Sequence, residues 1–259
     1  MKSRVPLLLL LFSFLIVWGC AKRPWDVLSK PERATLAVIL AHWETWVPAK
    51  KADGIAPMIT FEELYAGLGP EEAKFLDRIR AIKPKKENHF ENWSEGVEFK
   101  KLEGRQIRKE GNPAVLDPQY LPAQVFSAYE IMMQAMQRDL GRRLYVDSGY
   151  RSPAYQLYTF LFYLPGHGYS LEETRRWVAL PGQSEHGAPE RQAIDFINEE
   201  GINGDDGDQT AEDFEKLPEY GWLEENAGRF GFELSYPRGN PDTTFEPWHW
   251  RYTGSGIKN

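Results

Sequence analysis

Ser184-Glu185-His186-Gly187-Ala188-Pro189-Glu190-Arg191-Gln192-Ala193-Ile194-Asp195-Phe196-Ile197 reads SEHGAPERQAIDFI and sets a histidine and an aspartate nine residues apart. Its second half decides the kind of fold. Ala193 to Ile197 alternates, with Ile194 and Phe196 facing one way and Asp195 the other, as in a strand with one buried face. Gly187-Ala188-Pro189 is turn-prone, so a polar loop feeds this strand. Either His186 and Asp195 share a metal ion, or the segment is an ordinary polar loop entering a sheet.

Working outward, residues 144–150 read as another strand running into a turn, and residues 245–252 as a last strand. Between them lie helical patterns: residues 124–140, amphipathic through Val125, Tyr129, Met132, Met133 and Met136 and ended by Gly141; residues 153–162; residues 170–179, with Ser170 as N-cap and Glu173 at N3; and residues 217–229. Helices and short strands without a regular βαβ repeat predict an α+β fold, a small mostly antiparallel sheet flanked by helices. Upstream, Pro31, Thr60 and Pro70 open three further helical stretches, in the first of which Leu36, Ile39, Leu40 and Trp43 share a face. Trp43 and Trp46 are expected to pack. Residues 83–118, rich in Lys, Glu, Asn, Gly and Pro, show no period and read as a linker or wrapping segment. The predicted organisation is a leader over 1–19, a helical appendage and linker over 20–118, and a functional domain over 119–254.

The leader rests on Met1-Lys2-Ser3-Arg4, the apolar run from Val5 to Trp18, and Gly19-Cys20. The run has the length of a signal-peptide core and is short for a membrane span, the alternative reading being an uncleaved membrane anchor. Val17-Trp18-Gly19-Cys20 is similar to a bacterial lipobox, which implies lipidation of Cys20, an outer-membrane preference from Ala21 in a Gram-negative cell, and a periplasm-facing, lipid-anchored protein. Cys20 is the single cysteine, so lipidation leaves no thiol for a disulfide, a thiolate metal site or a nucleophile. Loss of residues 1–19 takes the formal charge from −7 to −9. An acidic chain without a basic run has no electrostatic footprint for nucleic acid.

Of five histidines, His42 sits in a helix beside Trp43, His89 and His167 lie in loop-like sequence with no acidic or histidine partner at a useful spacing, and all three are read as structural. His186 and His249 lie beside carboxylates. A hydrolytic zinc site takes three N or O ligands and leaves a position for water, with a further carboxylate close by to move protons. His186, Asp195 and His249 can supply the first set, and Glu246 in Phe245-Glu246-Pro247-Trp248-His249-Trp250 the second. Spacing alone equally accommodates a satisfied core histidine beside a salt-bridged glutamate.

Ser148-Gly149-Tyr150-Arg151-Ser152, Gln156, Pro181-Gly182-Gln183-Ser184-Glu185-His186, Ala193-Ile194-Asp195 and Glu246-Pro247-Trp248-His249 resemble, in this order, the motifs of VanY-like D-alanyl-D-alanine carboxypeptidases. Residues 222–232 are also similar to that family, and the likeness covers roughly residues 120–254. The resemblance implies the small α+β Hedgehog/DD-peptidase-like fold and zinc held by His186, Asp195 and His249. It implies Glu246 as general base on the zinc-bound water and then as acid to the departing D-amino acid. Arg151 would hold the substrate's terminal carboxylate, with Gln156 and Ser184 adding hydrogen bonds. The implied partners are peptidoglycan stem peptides, and the implied reaction is removal of terminal D-alanine. Other readings are a non-catalytic peptidoglycan-binding lipoprotein and an L,D-carboxypeptidase acting on tetrapeptides. One departure stands out: the family places its histidine and aspartate seven apart with a glycine four before the aspartate, where this chain has nine and Arg191. The longer loop puts Glu190 forward as a rival ligand to Asp195, although loop lengthening costs little entropy.

Two lesser patterns are set aside. Gly182-Gln183-Ser184-Glu185-His186 ends in histidine where a nucleophile elbow needs glycine. Asn203-Gly204-Asp205-Asp206-Gly207-Asp208 fails EF-hand spacing and reads as a solvated acidic loop.

Overall fold

The computed structural model describes residues 27–82, 96–239 and 244–254. The leader and Cys20 lie outside the described residues, as does His89.

The N-terminal part is helical. α1 (Lys30–Trp43) begins where Glu32 accepts from the Ser29 backbone N–H at 2.6 Å. α2 (Val47–Ala52), α3 (Phe61–Tyr65) and α4 (Pro70–Arg80) follow. Thr60 caps α3, accepting from Glu63 N at 3.2 Å. Trp43 is fully buried and donates its indole N–H to Leu64 O at 2.9 Å, so it packs as expected. His42 is tied to Ala66 O at 2.9 Å.

Next come four short strands, three of them in the stretch that reads from sequence as a structureless linker. β1 (Phe99–Leu102) pairs antiparallel with β4 (Gln119–Pro122), and β2 (Gln106–Lys109) with β3 (Asn112–Val115). The latter hairpin turns on Glu110 and Gly111, both with positive φ (53° and 81°), as a two-residue turn matching strand twist requires. These strands expose most of their side chains, which removes the alternation that would have announced them.

The remainder is the predicted α+β unit. α5 (Ala123–Leu140) buries the Val125, Tyr129, Met132, Met133 and Met136 face and stops at Gly141 in the left-handed region (φ 70°). β5 (Tyr145–Ser148), α6 (Pro153–Tyr163), α7 (Leu171–Thr174), β6 (Ala193–Ile197), α8 (Ala211–Glu215), α9 (Pro218–Asn226), β7 (Phe232–Leu234) and β8 (His249–Tyr252) complete the order. β5, β6, β8 and β7 form one antiparallel sheet in that spatial order. α7 is shorter than the expected 170–179 helix, with turns after Thr174. The last strand starts at His249, not at 245. Pro247 has no N–H to give a ladder, and the His249 N–H closes a turn onto Glu246 O at 3.1 Å.

Two apolar cores form. One lies between α5, the sheet and α9. The other joins Leu36, Ile39, Trp43, Leu76 and Ile79 of the N-terminal helices to Ala154, Leu157, Phe160 and Leu161 of α6. The helical appendage therefore shares its core with the segment that carries the site. Gly54 marks the closest approach: with φ at 66°, a Cβ there would lie 2.4 Å from Pro118 Cγ.

Candidate metal centre

Strand register explains why three distant residues meet. In the β6–β8 pairing Asp195 stands directly opposite His249, and in the β5–β6 pairing opposite Ser148. Directly opposed side chains on one face of an antiparallel pair sit with Cβ atoms roughly 5 Å apart, close enough to interact. His186 arrives from a short 3-10 turn, Glu185–Gly187, whose cap is Ser184: its Oγ accepts from His186 N at 3.3 Å. The Arg151 backbone N–H then donates to His186 O at 3.0 Å, pinning the loop to the turn after β5.

The resulting geometry is tight. His186 Nε2 lies 3.0 Å from Asp195 Oδ2, and His249 Nδ1 lies 2.7 Å from Asp195 Oδ1. The two imidazoles meet edge to face, 5.0 Å between ring centres. One ligand atom from each of His186, Asp195 and His249 lies within 4.8 Å of the others. Glu190 is exposed and belongs to no such group among the described residues, so the lengthened loop delivers Asp195 rather than Glu190 to the histidines. Two wound turns, Glu185–Gly187 and Pro189–Arg191, take up the extra length.

The far nitrogen of each imidazole is also engaged. His186 Nδ1 sits 2.8 Å from Gly149 O, which as an acceptor fixes the tautomer that leaves Nε2 free towards Asp195. His249 Nε2 sits 3.1 Å from Glu185 Oε2. Glu185 also accepts from Ser235 Oγ at 2.5 Å and from Arg251 Nη1 at 2.8 Å, and Arg251 Nε donates to Glu233 at 2.6 Å. Oriented imidazoles with outer carboxylate and carbonyl partners are the usual support of a metal-ligating pair. Two nitrogens and one carboxylate form a donor set suited to zinc.

Electrostatics follow from this packing. Burial would raise Asp195, but His186 and His249 hold it well below the usual carboxylate range. Burial lowers His186. For His249 burial pulls the same way, yet Asp195 and Glu185 outweigh it and raise the ring to about 10. Burial also opposes Glu185, which hydrogen bonds from His249 and Ser235 nevertheless lower to about 2. Glu246 behaves oppositely: burial, with the charges of Asp195, Asp205 and Glu185, raises it to about 7 against the pull of His249. Its Oε2 lies 3.9 Å from His249 Nδ1, and its backbone N–H donates to Tyr236 O at 3.2 Å.

The remaining expected site residues are placed as follows. Arg151 lies in the turn after β5, and its buried Nε has no hydrogen-bond partner; burial lowers the group, while Asp195, Tyr155, Tyr163 and Glu246 act to raise it. Gln156, on α6, is buried and donates to Ala179 O at 2.6 Å, leaving its Oε1 without a partner. Ser184 is buried and caps the His186 turn. The acidic loop at 203–208 folds on itself, with Asn203 Oδ1 accepting from Asp205 N and Asp206 N at 3.1 and 3.0 Å, and joins no metal-ligand group among the described residues. Sequence reasoning passed over Gly149, Glu185 and Arg251. The available signal was Arg251 itself, two residues beyond His249 and so on the same face of a strand.

A cavity of about 250 Å3 opens beside Arg151, lined also by Ser148 and Tyr150 from the β5 turn, by aromatic residues of α6, and by residues of the 51–57 segment. Ser148, which lines the cavity, stands opposite Asp195 in the β5–β6 register.

The family model described as VanY, D-alanyl-D-alanine carboxypeptidase, matches residues 118–255. The bifunctional D-Ala-D-Ala dipeptidase and carboxypeptidase VanXYC of Enterococcus gallinarum is 31% identical over 139 residues, covering 52% of this chain and 68% of that protein. A D-alanyl-D-alanine carboxypeptidase of Enterococcus faecalis is 41% identical over 85 residues, covering 32% of this chain and 27% of that protein. The chain thus spans about a quarter of that relative's length. A vancomycin-resistance D,D-pentapeptidase VanY variant solved with Zn(II) aligns at 26% identity and a TM-score of 0.46, covering 68% of this chain and 89% of the other.

Proposed function

The chain belongs to the VanY family of D-alanyl-D-alanine carboxypeptidases, and from that premise we propose that it is a zinc-dependent carboxypeptidase removing the terminal D-alanine of peptidoglycan stem peptides. The observation that carries this reading is the convergence of His186 Nε2 and His249 Nδ1 on the two oxygens of Asp195, with Glu246 beside them. His186, Asp195 and His249 would hold the metal, which when bound would supply Lewis-acid polarisation of the scissile carbonyl. Glu246 takes the proton of the attacking water and passes it to the departing amine. Arg151, whose buried Nε lacks a partner, takes the terminal carboxylate in its planar fork and thereby sets which peptide bond reaches the metal. Ser184 fixes the His186 turn and offers its remaining O–H to the peptide end, as Gln156 Oε1 offers an acceptor.

The anchor belongs to the same proposal. The basic start, the apolar run and Gly19-Cys20 support a lipid on Cys20 that holds the enzyme at the periplasmic face of a membrane. Among the described residues no helix is long and apolar enough to cross a membrane.

The test is release of free D-alanine from a synthetic stem pentapeptide by the purified protein with and without zinc. Zinc-dependent release supports the reading. Absence of release with zinc bound defeats it.

A further inference from the structure

The cavity beside Arg151 is far larger than an alanine methyl requires. Its volume is about 250 Å3. One wall is a stripe of α6 in which Tyr155, Tyr158, Thr159, Phe162 and Tyr163 recur at helical spacing on one face. The rings of Tyr155, Tyr158, Phe162 and Tyr163 contact one another in sequence. Tyr155 and Tyr158 stack at 5.7 Å with 8° between planes, and Tyr158 and Phe162 at 5.8 Å with 29°. Phe162 nevertheless keeps 51% of its surface exposed, and Tyr163 49%. The cavity is also lined by Asp117, Pro118 and Gln119, and by Lys51, Gly54, Ala56 and Pro57 from a segment outside the matched residues 118–255. That segment is held in place by Tyr120, whose hydroxyl donates to Gly54 O at 3.0 Å.

Two residues that line this cavity also touch the metal-ligand group: Ser148 stands opposite Asp195 in the β5–β6 register, and Arg151 donates its backbone N–H to His186 O at 3.0 Å. A substrate whose carboxylate is held by Arg151 and whose scissile carbonyl faces His186, Asp195 and His249 therefore has the side chain of its last residue beside the cavity. The ring-lined α6 side of the cavity favours an aromatic guest, through offset and edge-to-face contacts.

We infer that the cavity is a subsite for an aromatic side chain on the C-terminal residue, so that the enzyme releases aromatic D-amino acids as well as D-alanine. This rests on the carboxypeptidase reading above. The chemistry is unchanged: water oxygen joins the carbonyl carbon, the C–N bond breaks, and the departing amine takes the proton.

The experiment compares release of the last residue from otherwise identical zinc-supplemented pentapeptides ending in D-Ala or D-Phe. The expected result is a kcat/KM for the D-Phe peptide within tenfold of that for D-Ala or above it. Thr159→Trp, which fills the cavity from α6, is expected to lower the D-Phe to D-Ala ratio at least fivefold. Phe162→Ala, at a half-exposed position that tolerates truncation, is expected to lower the same ratio and covers the case in which Thr159→Trp fails to fold. Release of D-Ala with D-Phe more than tenfold slower overturns the inference and leaves the carboxypeptidase reading intact. A ratio unmoved in the folded variants overturns it too. Release of neither residue overturns the reading on which it rests.

Discussion

Replacing Glu185 with alanine tests how the second histidine is held. Glu185 accepts at 3.1 Å from His249 Nε2, at 2.5 Å from Ser235 and at 2.8 Å from Arg251. Glu185→Ala removes all three at once. The His249 ring then loses the partner that orients its Nδ1 towards Asp195, and a carboxylate that makes the imidazole a stronger donor. Loss of such an outer partner typically weakens metal affinity by about 10–100-fold, equivalent to roughly 1.4–2.7 kcal/mol. Arg251 keeps its contact with Glu233, so the fold is expected to survive. The assay is a competition titration of the apo-protein with zinc against a chromophoric chelator. At a fixed zinc excess, the zinc-induced rise in Tm should also shrink by roughly 3–10 °C for a chain of this size. Glu185→Gln, which keeps an oxygen but not the charge, is expected to fall between wild type and alanine. Zinc affinity of Glu185→Ala within twofold of wild type would refute the positioning role.

Three further outcomes are expected. Arg151→Ala should lower kcat/KM for the pentapeptide by roughly 10–150-fold, the worth of about 1.5–3 kcal/mol of hydrogen bonding to a charged group, and Arg151→Lys should recover little of it because a point charge lacks the planar fork; steady-state kinetics read both. Gly54→Ala should destabilise by about 2–5 kcal/mol, from left-handed backbone strain plus overpacking against Pro118, visible as a Tm lower by roughly 5–15 °C. Asp147 is raised above the usual carboxylate range by burial, with Asp195 and Asp206 adding to it against Asn203 and Arg105. Its folded-state value exceeds its unfolded one, so it favours the fold most at low pH and loses that contribution as pH rises through the raised value. Asp147→Asn, which can still accept from Asn203 Nδ2, is therefore expected to stabilise the protein at pH 7 and to bring no gain below about pH 4, where the unfolded carboxyl is itself protonated; urea midpoints at the two pH values check it.

The parts of the site that were legible in sequence carry their chemistry in residue type. His186, Asp195, Glu246 and His249 sit in short motifs, and the Ile194/Phe196 alternation placed Asp195 on a strand before any register was known. Glu185 was quoted with them yet unassigned, because its partners Ser235 and Arg251 lie 50 and 66 residues away and only the β7–β8 and β6–β8 pairings bring them together. Winding keeps the rival Glu190 away from the two histidines: no spacing rule says that an elongated loop coils into two 3-10 turns and leaves that side chain outside. β1, β2 and β3 escaped notice because four-residue strands with mostly exposed faces bury too little to impose a pattern. Nor did helical periodicity reveal that the faces of α1 and α4 close on α6, which makes the appendage one wall of the cavity beside Arg151.

The most direct measurement of the central claim is the zinc content and D-alanine release of Glu246→Gln, taken on one preparation. Glu246 lies beside His249 but outside the three-residue ligand group. The account predicts zinc at wild-type stoichiometry with release lowered by roughly 100–10,000-fold, the range set by loss of a general acid–base group. Release at the wild-type rate, or loss of the zinc along with the activity, would contradict it.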